Sequence, residues 1–213
     1  MTIPLDPLLS PQANAERCYQ RQRKSRRALE HSQRRRDETA VELEWLQQLA
    51  FALDEAQTPA DLTEVRRELV EGGLLQAERR ERGRPEPAAR LRQTVSPGGY
   101  RLVWGKGSRG NDEVSRRLAA AGDLWFHAHA LPGCHLLLRR EGRKGEIPEA
   151  DLLFAAALAA GYSRGKDATN VEVMVAEARA VRPVAGGPPG LVTVARFRTV
   201  RVAPLRLEEG AGG

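Results

Sequence analysis

A heptad-like stripe of apolar and small residues runs through the first quarter of the chain. Residues 14–56 contain neither proline nor glycine, and Ser10 followed by Pro11 supplies an N-cap and a proline at the first helical position. The pattern therefore predicts one long helix of the coiled-coil type. Alternate steps of three and four residues give the stripe positions Ala15, Cys18, Gln22, Ser25, Leu29, Ser32, Arg36, Thr39, Leu43, Leu46, Ala50 and Leu53.

The two halves of this stripe differ in polarity. Gln22, Ser25, Ser32 and Arg36 make the first half polar, whereas the second half is apolar and is flanked by Trp45 and Phe51. A helix face of this kind needs a partner at its apolar end. A second copy of the chain is one such partner, so a homodimer is one expected arrangement.

A shorter helix and a linker follow. Thr58 and Pro59 end the long helix, and residues 61–69 start a second one with Leu62, Val65 and Leu69 on one face, which Gly72 and Gly73 end. Residues 78–97 are charged, contain three prolines and almost no large apolar side chain, which is a linker composition.

The remaining chain alternates short apolar runs with helical patterns. Strands are predicted at 100–105, 123–129, 135–139 and 171–181, with one or two more within 191–202. A glycine-rich loop is predicted at 106–111, and helices at 112–121 and 148–163. The predicted class is α+β, with a long helical coiled-coil arm followed by a compact mixed α+β domain.

Charge changes this picture because it is concentrated in one place. Lys and Arg outnumber Asp and Glu by 34 to 28, a formal charge of +6. Glu30 is the single acid within residues 17–36, which carry the nine basic residues Arg17, Arg21, Arg23, Lys24, Arg26, Arg27, Arg34, Arg35 and Arg36, called here the basic run. Dense positive charge opposes helix formation by self-repulsion, and contact with nucleic-acid phosphates relieves it. A solvated helix face is the alternative.

Other classes are disfavoured. The longest mainly apolar stretch, residues 152–160, is too short to cross a bilayer, and residues 1–10 lack the features of a signal peptide. Cys18 and Cys134 lie in dissimilar contexts and suggest no disulfide framework. We therefore expect a cytoplasmic protein without membrane association.

The glycine-rich string at 105–111 is the first candidate site outside the long helix. Its glycines permit close approach of a phosphate, and Lys106 and Arg109 add positive charge. It lacks the Gly-Lys-Ser/Thr ending of a nucleotide-binding P-loop. An ordinary strand-to-helix turn with Asn111 or Asp112 as helix cap explains the same residues.

The second candidate spans residues 122–135. Alternation along a strand predicts that Asp123, Trp125, His127 and His129 share one face, opposite core-facing neighbours. A metal site lacks a second ligand cluster, and a hydrolase lacks a convincing nucleophile, so neither catalytic residues, metal nor cofactor are expected. Trp125 either stacks a base or covers the sheet.

Together these strings resemble one known family. Residues 104–112, 123–127, 131–135 and 160–164 are similar to the RNA-binding (R) domain of the NFACT family, and residues 3–15, the long helix and residues 61–69 resemble its coiled-coil middle region. The resemblance implies a ribosome-associated quality-control factor that binds stalled large ribosomal subunits and tRNA, alanyl-tRNA in bacteria. Such factors support C-terminal alanine tailing of nascent chains. It implies no enzyme activity of the chain itself, since the ribosome performs peptidyl transfer.

Departures from the family pattern limit this transfer. The family's N-terminal domain and helix-hairpin-helix module have no recognised counterpart, so we expect a C-terminal fragment or a shortened gene product whose helix is the returning arm of the coiled coil. Residues 181–190 contain no lysine, whereas the corresponding segment of relatives is Lys-rich. Met174 and Val175 stand where relatives often carry Asp-Tyr.

The resulting predictions are specific. Expected boundaries are a helical region at 1–82, a linker at 83–98, an R domain at 99–205 and a flexible tail at 206–213. Expected partners are large-subunit rRNA and tRNA; the alternative is a protein-interaction module without direct RNA contact. Expected RNA-binding residues are Arg17, Arg21, Arg23, Lys24, Arg26, Arg27, Arg34, Lys106, Arg109, Asn111, Trp125, His127 and His135.

Overall fold

The computed structural model describes residues 4–76 and 91–207. The chain divides into two compact units, residues 1–43 and residues 44–213. The helices within the described ranges are α1 Pro11–Asp54, α2 Pro59–Glu71, α3 Gly107–Glu113 and α4 Glu149–Gly161, with a π-helical turn Val114–Leu118 and a 3₁₀ turn Ala178–Ala180. The strands there are β1 Leu91–Val95, β2 Arg101–Gly105, β3 Leu124–Ala128, β4 Leu136–Arg139, β5 Val171–Glu177, β6 Val181–Pro183, β7 Val192–Val194 and β8 Arg198–Val202.

Helix α1 confirms the predicted long helix of 44 residues. The side chain of Ser10 accepts a hydrogen bond from the backbone N–H of Ala13 at 3.2 Å, as expected for an N-cap. Asn14, only 6% exposed, donates to the carbonyls of Asp6 and Leu9 and accepts from the N–H of Asp6 at 2.8 Å. These bonds fold the preceding segment back onto the first turn of the helix, which the sequence pattern did not predict.

The first unit shows a helix that is exposed on all sides. Every residue from 15 to 40 is exposed, and Leu29 retains 70% of its accessible surface. The long helix is thus confirmed, whereas a coiled coil is not, since within the described residues the predicted seam of this unit is not buried against a second helix.

Helix α2 is longer than the predicted range 61–69 and has capping residues at both ends. The Thr58 side chain accepts from the N–H of Asp61, and the Asp61 carboxylate accepts from the N–H of Thr58, which is a capping box. Gly72 caps the other end, and Gly73 follows with a φ of +75°, a left-handed conformation that suits glycine. Trp45 of α1 packs so close to Gly72 that a Cβ there would lie 2.1 Å from the indole.

The second unit is built on a six-stranded antiparallel sheet of order β1-β2-β4-β3-β5-β8. Strands β3 and β4 pair at its centre, with Trp125 opposite Leu137 and Phe126 opposite Leu136. Strands β6 and β7 form a separate two-stranded sheet. This confirms the α+β class.

Both faces of the central sheet are covered. One face packs against α4, where Phe126, Leu136 and Leu158 are fully buried. The other face packs against the π-helical turn and the β6–β7 sheet, and its core contains Val114, Trp125 and Leu137. Because strand β3 is buried from two sides, its aromatic residues belong to two separate cores.

Three sequence predictions need correction. Residues 91–95, assigned to the linker, form strand β1 and pair with β2. The side chains of Leu91 and Arg92 are partly buried in this edge strand. Residues 77–90 lie outside the described residues. The expected loop at 106–111 is mostly helix α3, since Gly107, with a φ of +63°, turns the chain directly into it. In the expected tail, Arg206 lies over the Tyr162 ring at 5.0 Å, and residues 208–213 are outside the described ranges.

The end of α1 and the whole of α2 pack within the second unit. Leu49, Phe51 and Val65 are buried. Gln48 makes two hydrogen bonds with the backbone of Gly133, its amide donating to the carbonyl at 3.1 Å and accepting from the N–H at 3.0 Å. The compact unit therefore joins residues 44–76 to the α+β domain rather than separating them at the linker.

Candidate nucleic-acid interface

The basic run lies on the exposed part of α1. Its nine cations project from a regular helix in which each residue advances by about 100°. At this rotation Arg17, Arg21 and Lys24 lie within about 60° of one another, Arg26 lies on the opposite side, and Arg23 and Arg27 lie between them, so positive charge surrounds the helix instead of forming one stripe. A helix charged on all sides suits contact with phosphates from several directions better than packing against protein.

Two ion pairs offset part of this charge. Arg17 contacts Asp6 at 2.9 Å, and Arg26 contacts Glu30 at 3.1 Å across one helical turn. The side chains of both arginines stay more than half exposed, at 58% and 74%. Exposed pairs of this kind contribute little to stability and exchange readily with other anions.

The two basic residues of the glycine-rich string lie against α2. Lys106 Nζ lies 3.8 Å from Asp61 Oδ1. Arg109 Nε lies 3.1 Å from Glu64 Oε1, and its guanidinium also pairs with Glu71. The carboxylates of α2 occur every three or four residues, so they line one face of the helix and meet both cations.

Asn111 has a structural position instead. It is 2% exposed, donates to the carbonyl of Gly133 at 2.9 Å and accepts from the N–H of His135 at 2.9 Å. The amide thus fixes the connection between β3 and β4 to helix α3. Neither of the predicted roles, helix cap or RNA contact, corresponds to these bonds; direct RNA contact there stays a prediction.

Trp125 and His135 are joined by one hydroxyl. Trp125, 1% exposed, donates through Nε1 to Ser115 Oγ at 3.2 Å, and this hydroxyl lies 2.8 Å from His135 Nδ1. The direction of the bond between Ser115 and His135 depends on the tautomer of the imidazole, because the hydroxyl can donate its own proton or accept at its second lone pair. The expected stacking surface of Trp125 is not present in this conformation, since the β6–β7 sheet and the π-helical turn cover it.

His127 lies beside His135, with ring centroids 5.0 Å apart. Its Nδ1 donates to the carbonyl of Cys134 at 2.9 Å. Burial lowers the pKa of His127, and burial together with the neighbouring His127 lowers the pKa of His135 further. Both imidazoles are therefore neutral at pH 7 and add no positive charge for a phosphate.

The remaining residues of this string hold the fold. Asp123, 2% exposed, accepts from the N–H groups of Ala120 and Arg140 and pairs with Arg139 at 2.7 Å. His129 is exposed, and its Nδ1 lies 3.7 Å from Glu172 Oε2. The alternation of side chains along this strand was predicted correctly, but the burial of both faces was not.

Within residues 4–76 and 91–207, no group of three His, Cys, Asp or Glu side chains is arranged to hold a metal ion. Burial raises the pKa of Cys134 to about 12, so this thiol is unreactive, whereas Cys18 is exposed. None of the described helices is long and apolar enough to span a bilayer.

Sequence reasoning missed the carboxylates that the structure brings to the α+β domain. Glu55 contacts Lys166 at 2.8 Å and Arg206 at 2.5 Å, and Asp54 contacts Arg164 at 3.2 Å. Burial opposes ionisation of Glu55, but its hydrogen bonds and ion pairs with these two cations outweigh that effect and lower its pKa. For the carboxylates of α2, the regular spacing along the helix was a signal that the sequence offered. It could not identify their partners Lys106 and Arg109, which lie far away in the sequence.

Two family models match successive parts of this chain. Residues 1–87 match the model of the NFACT N-terminal and middle domains, and residues 91–192 match that of the NFACT protein RNA binding domain. The relatives named Rqc2 homolog RqcH from Streptococcus suis and Bacillus subtilis are each 32% identical to it, over 208 and 206 residues. The matched regions cover 96% of this chain in both cases and 36% and 35% of the relatives, so the chain spans little more than a third of their length.

A solved structure shows the same fold. The C-terminal part of the fibronectin/fibrinogen-binding protein from Streptococcus suis superposes with a TM-score of 0.79 at 29% sequence identity, covering 91% of this chain and 77% of that one. The two domain models together account for nearly the whole chain. The chain belongs to the NFACT family.

Proposed function

We propose that this chain is an RNA-binding part of a ribosome quality-control factor. It binds rRNA of stalled large ribosomal subunits and tRNA, and it supports C-terminal alanine tailing of the nascent chain. The relatives carry the name Rqc2 homolog RqcH, and residues 91–192 match an RNA-binding domain model. The observation that carries the proposal is the exposed basic run of α1, which has nine cations and a single acid within residues 17–36.

The basic run acts through the phosphate backbone. Each cation that neutralises a phosphate releases condensed counterions, and this release drives binding without reading the base sequence. The self-repulsion of the helix falls at the same time, because phosphates separate the like charges. The chain performs no chemistry in this scheme; peptidyl transfer belongs to the ribosome.

The α+β domain contributes placed residues instead of bulk charge. Among the predicted contacts of this domain, the cations Lys106 and Arg109 remain partly exposed, at 25% and 23% of their side-chain surface. Asn111, Trp125 and His135 support the fold from its interior. The proposal therefore assigns phosphate contact to the basic run first and to Lys106 and Arg109 second.

A salt titration tests the proposal. Labelled tRNA and purified large subunits are titrated with the chain at several salt concentrations, and the slope of log affinity against log salt is measured. Replacing Arg21, Arg23, Arg26, Arg27 and Arg34 with Gln is expected to reduce that slope by up to about 4, since each phosphate contact contributes roughly 0.7 to 0.9.

A matched control removes the same charge elsewhere. Five exposed arginines of the α+β domain are replaced with Gln in the control variant: Arg117, Arg182, Arg196, Arg198 and Arg201. This variant is expected to retain most of the slope. Binding that ignores salt, or equal slopes for the chain and its α1 variant, would refute the role of the basic run.

A protein-interaction module is the second candidate, and one observation favours it. Leu29 and Leu43 on α1 are 70% and 54% exposed, and exposed leucines on a stripe favour a helical partner, including a second copy of the chain. Full binding of large subunits by the nuclease-treated chain with its basic run neutralised would support this candidate. A monomer in light scattering at high protein concentration would argue against the homodimer.

A further inference from the structure

Five cations of the α+β domain face carboxylates of the helical segment. The covered cations, as they are called here, are Lys106, Arg109, Arg164, Lys166 and Arg206. The acidic face comprises the residues of α1, α2 and their connection that pair with them: Asp54, Glu55, Asp61, Glu64 and Glu71. All of these residues belong to the same compact unit.

The carboxylates occupy positions that phosphate oxygens also suit. Arg109 is held by two carboxylates at once, Glu64 and Glu71, in the manner in which an arginine binds a phosphate with several donors. Glu55 in turn bridges Lys166 and Arg206. The cations stay 23–50% exposed, so an incoming anion meets them without unfolding the sheet.

The ion pairs themselves add little to the stability of this contact. Exposed ion pairs contribute little because they lose side-chain entropy and are screened by salt. Next to Arg109, Glu68 is only 5% exposed, and burial raises the pKa of its carboxyl group. A buried acid of this kind opposes tight packing, and displacement of the helical segment would return it to water.

We infer that the acidic face competes with RNA phosphates for the covered cations, so that the basic surface of the α+β domain opens to RNA only when the helical segment is displaced. This inference rests on the proposed RNA-binding function. In the closed arrangement RNA binds through the basic run alone, and in the open one the covered cations add further phosphate contacts. The acidic face thus limits RNA binding by the α+β domain.

A disulfide lock tests the inference directly. A Cβ built on Gly107 lies 4.0 Å from the Cβ of Ala52, which fits the usual 3.5–4.5 Å separation in a disulfide. The lock variant carries Ala52→Cys and Gly107→Cys, with Cys18→Ser to prevent crosslinks through the exposed thiol. Because Gly107 has a positive φ, the reduced form of the same variant is the reference, and peptide mapping establishes the intended pairing.

The lock is expected to weaken RNA binding. The oxidised form should bind labelled tRNA roughly three- to tenfold more weakly than the reduced form, with a salt slope smaller by about 1 to 3, because the covered cations no longer reach phosphates. Equal affinities and equal slopes for the two forms would overturn the inference. If neither form binds RNA, the proposed function itself fails, which separates the two results.

Charge neutralisation gives a second test. The variant Glu64→Gln with Glu71→Gln releases Arg109 and is expected to bind tRNA about threefold more tightly than the control Glu146→Gln with Glu149→Gln, which removes two exposed carboxylates elsewhere. Adding Arg109→Gln to the first variant should remove that difference. Equal affinity of the two variants, when both unfold with the thermal midpoint of the chain, contradicts the inference.

Discussion

The substitution Asn111→Asp tests whether residue 111 holds the fold or contacts RNA. Its amide donates to the carbonyl of Gly133 and accepts from the N–H of His135, each at 2.9 Å, and only 2% of the residue is exposed. An ionised Asp keeps the bond from His135 but places a negative oxygen against a carbonyl oxygen. A protonated Asp restores the donor, so the stability of this variant should depend on pH.

The expected magnitude follows from these two bonds. A buried polar group that loses its partner costs about 1–3 kcal/mol, and an uncompensated buried charge costs about 3–5 kcal/mol. Gly133 also accepts from Gln48, so its carbonyl keeps one partner. At pH 7.5 we expect a loss of about 3 kcal/mol in the free energy of unfolding.

The sign of the pH dependence is fixed by where the proton binds. Burial without a cation raises the pKa of the introduced carboxyl in the folded state, so the folded state holds the proton at pH values where the unfolded chain has released it. The penalty is therefore complete above the raised folded pKa. It is relieved as pH falls toward the unfolded value of about 3.9, at up to about 1.4 kcal/mol per pH unit.

Urea unfolding from pH 5 to pH 8, run in parallel on the chain and on the variant, measures this difference. The gap in unfolding free energy should narrow toward pH 5, and RNA affinity corrected for the folded fraction should stay unchanged. A gap that does not vary with pH would refute the hydrogen-bonding role. A loss of RNA affinity in fully folded variant protein would instead support direct contact between residue 111 and RNA.

Three further outcomes follow from buried contacts. Ser115→Ala leaves the Trp125 indole N–H without its acceptor and should lower the unfolding free energy by about 1–3 kcal/mol in urea, which a full-stability variant would contradict. Gly161→Ala places a Cβ 1.9 Å from the Leu205 carbonyl oxygen, so its thermal midpoint should fall by several degrees, unlike that of the exposed control Gly122→Ala. Since the pKa of His135 is lowered in the folded state, the free energy of unfolding decreases as the pH falls below about 6.5. His135→Asn should reduce this pH dependence by up to about 1.4 kcal/mol per pH unit between pH 5 and 6.5.

Local signals in the sequence predicted the helices well. Ser10 and Pro11 begin α1 and Gly72 ends α2, whereas the capping box that starts α2 at Pro59, two residues before the predicted start, was not recognised. Such signals depend on residues a few positions apart, whose geometry is the same in any protein. Strands β2, β3 and β4 were also found within a residue, because their apolar runs are bounded by turn residues, whereas the predicted strand at 171–181 merged β5 with the 3₁₀ turn that follows it.

Tertiary contacts decided the rest. Alternation placed Trp125 on the polar face of its strand, but whether that face meets water depends on β6 and β7, which lie more than fifty residues away. Strand β1 was missed because its five residues follow a charged, proline-containing stretch in the sequence. They form a strand by pairing with β2, which a local pattern does not show. An isolated edge strand carries too weak a periodicity to be recognised.

The candidate site was only partly visible for the same reason. The charge of the basic run is a local property and could be read from composition, and the structure confirms its exposure. Lys106 and Arg109 could be identified as cations, but their carboxylate partners Asp61, Glu64 and Glu71 lie more than thirty residues away. The sequence therefore shows that Lys106 and Arg109 are positively charged, but not which carboxylates they pair with.

An electron-microscopy map of the chain bound to a stalled large ribosomal subunit tests the central claim most directly. The account predicts that residues 17–36 of α1 run along rRNA or tRNA, with arginine side chains within hydrogen-bonding distance of phosphates on more than one side of the helix. A map in which this helix contacts only protein, or points into solvent while the α+β domain alone holds the RNA, would contradict it.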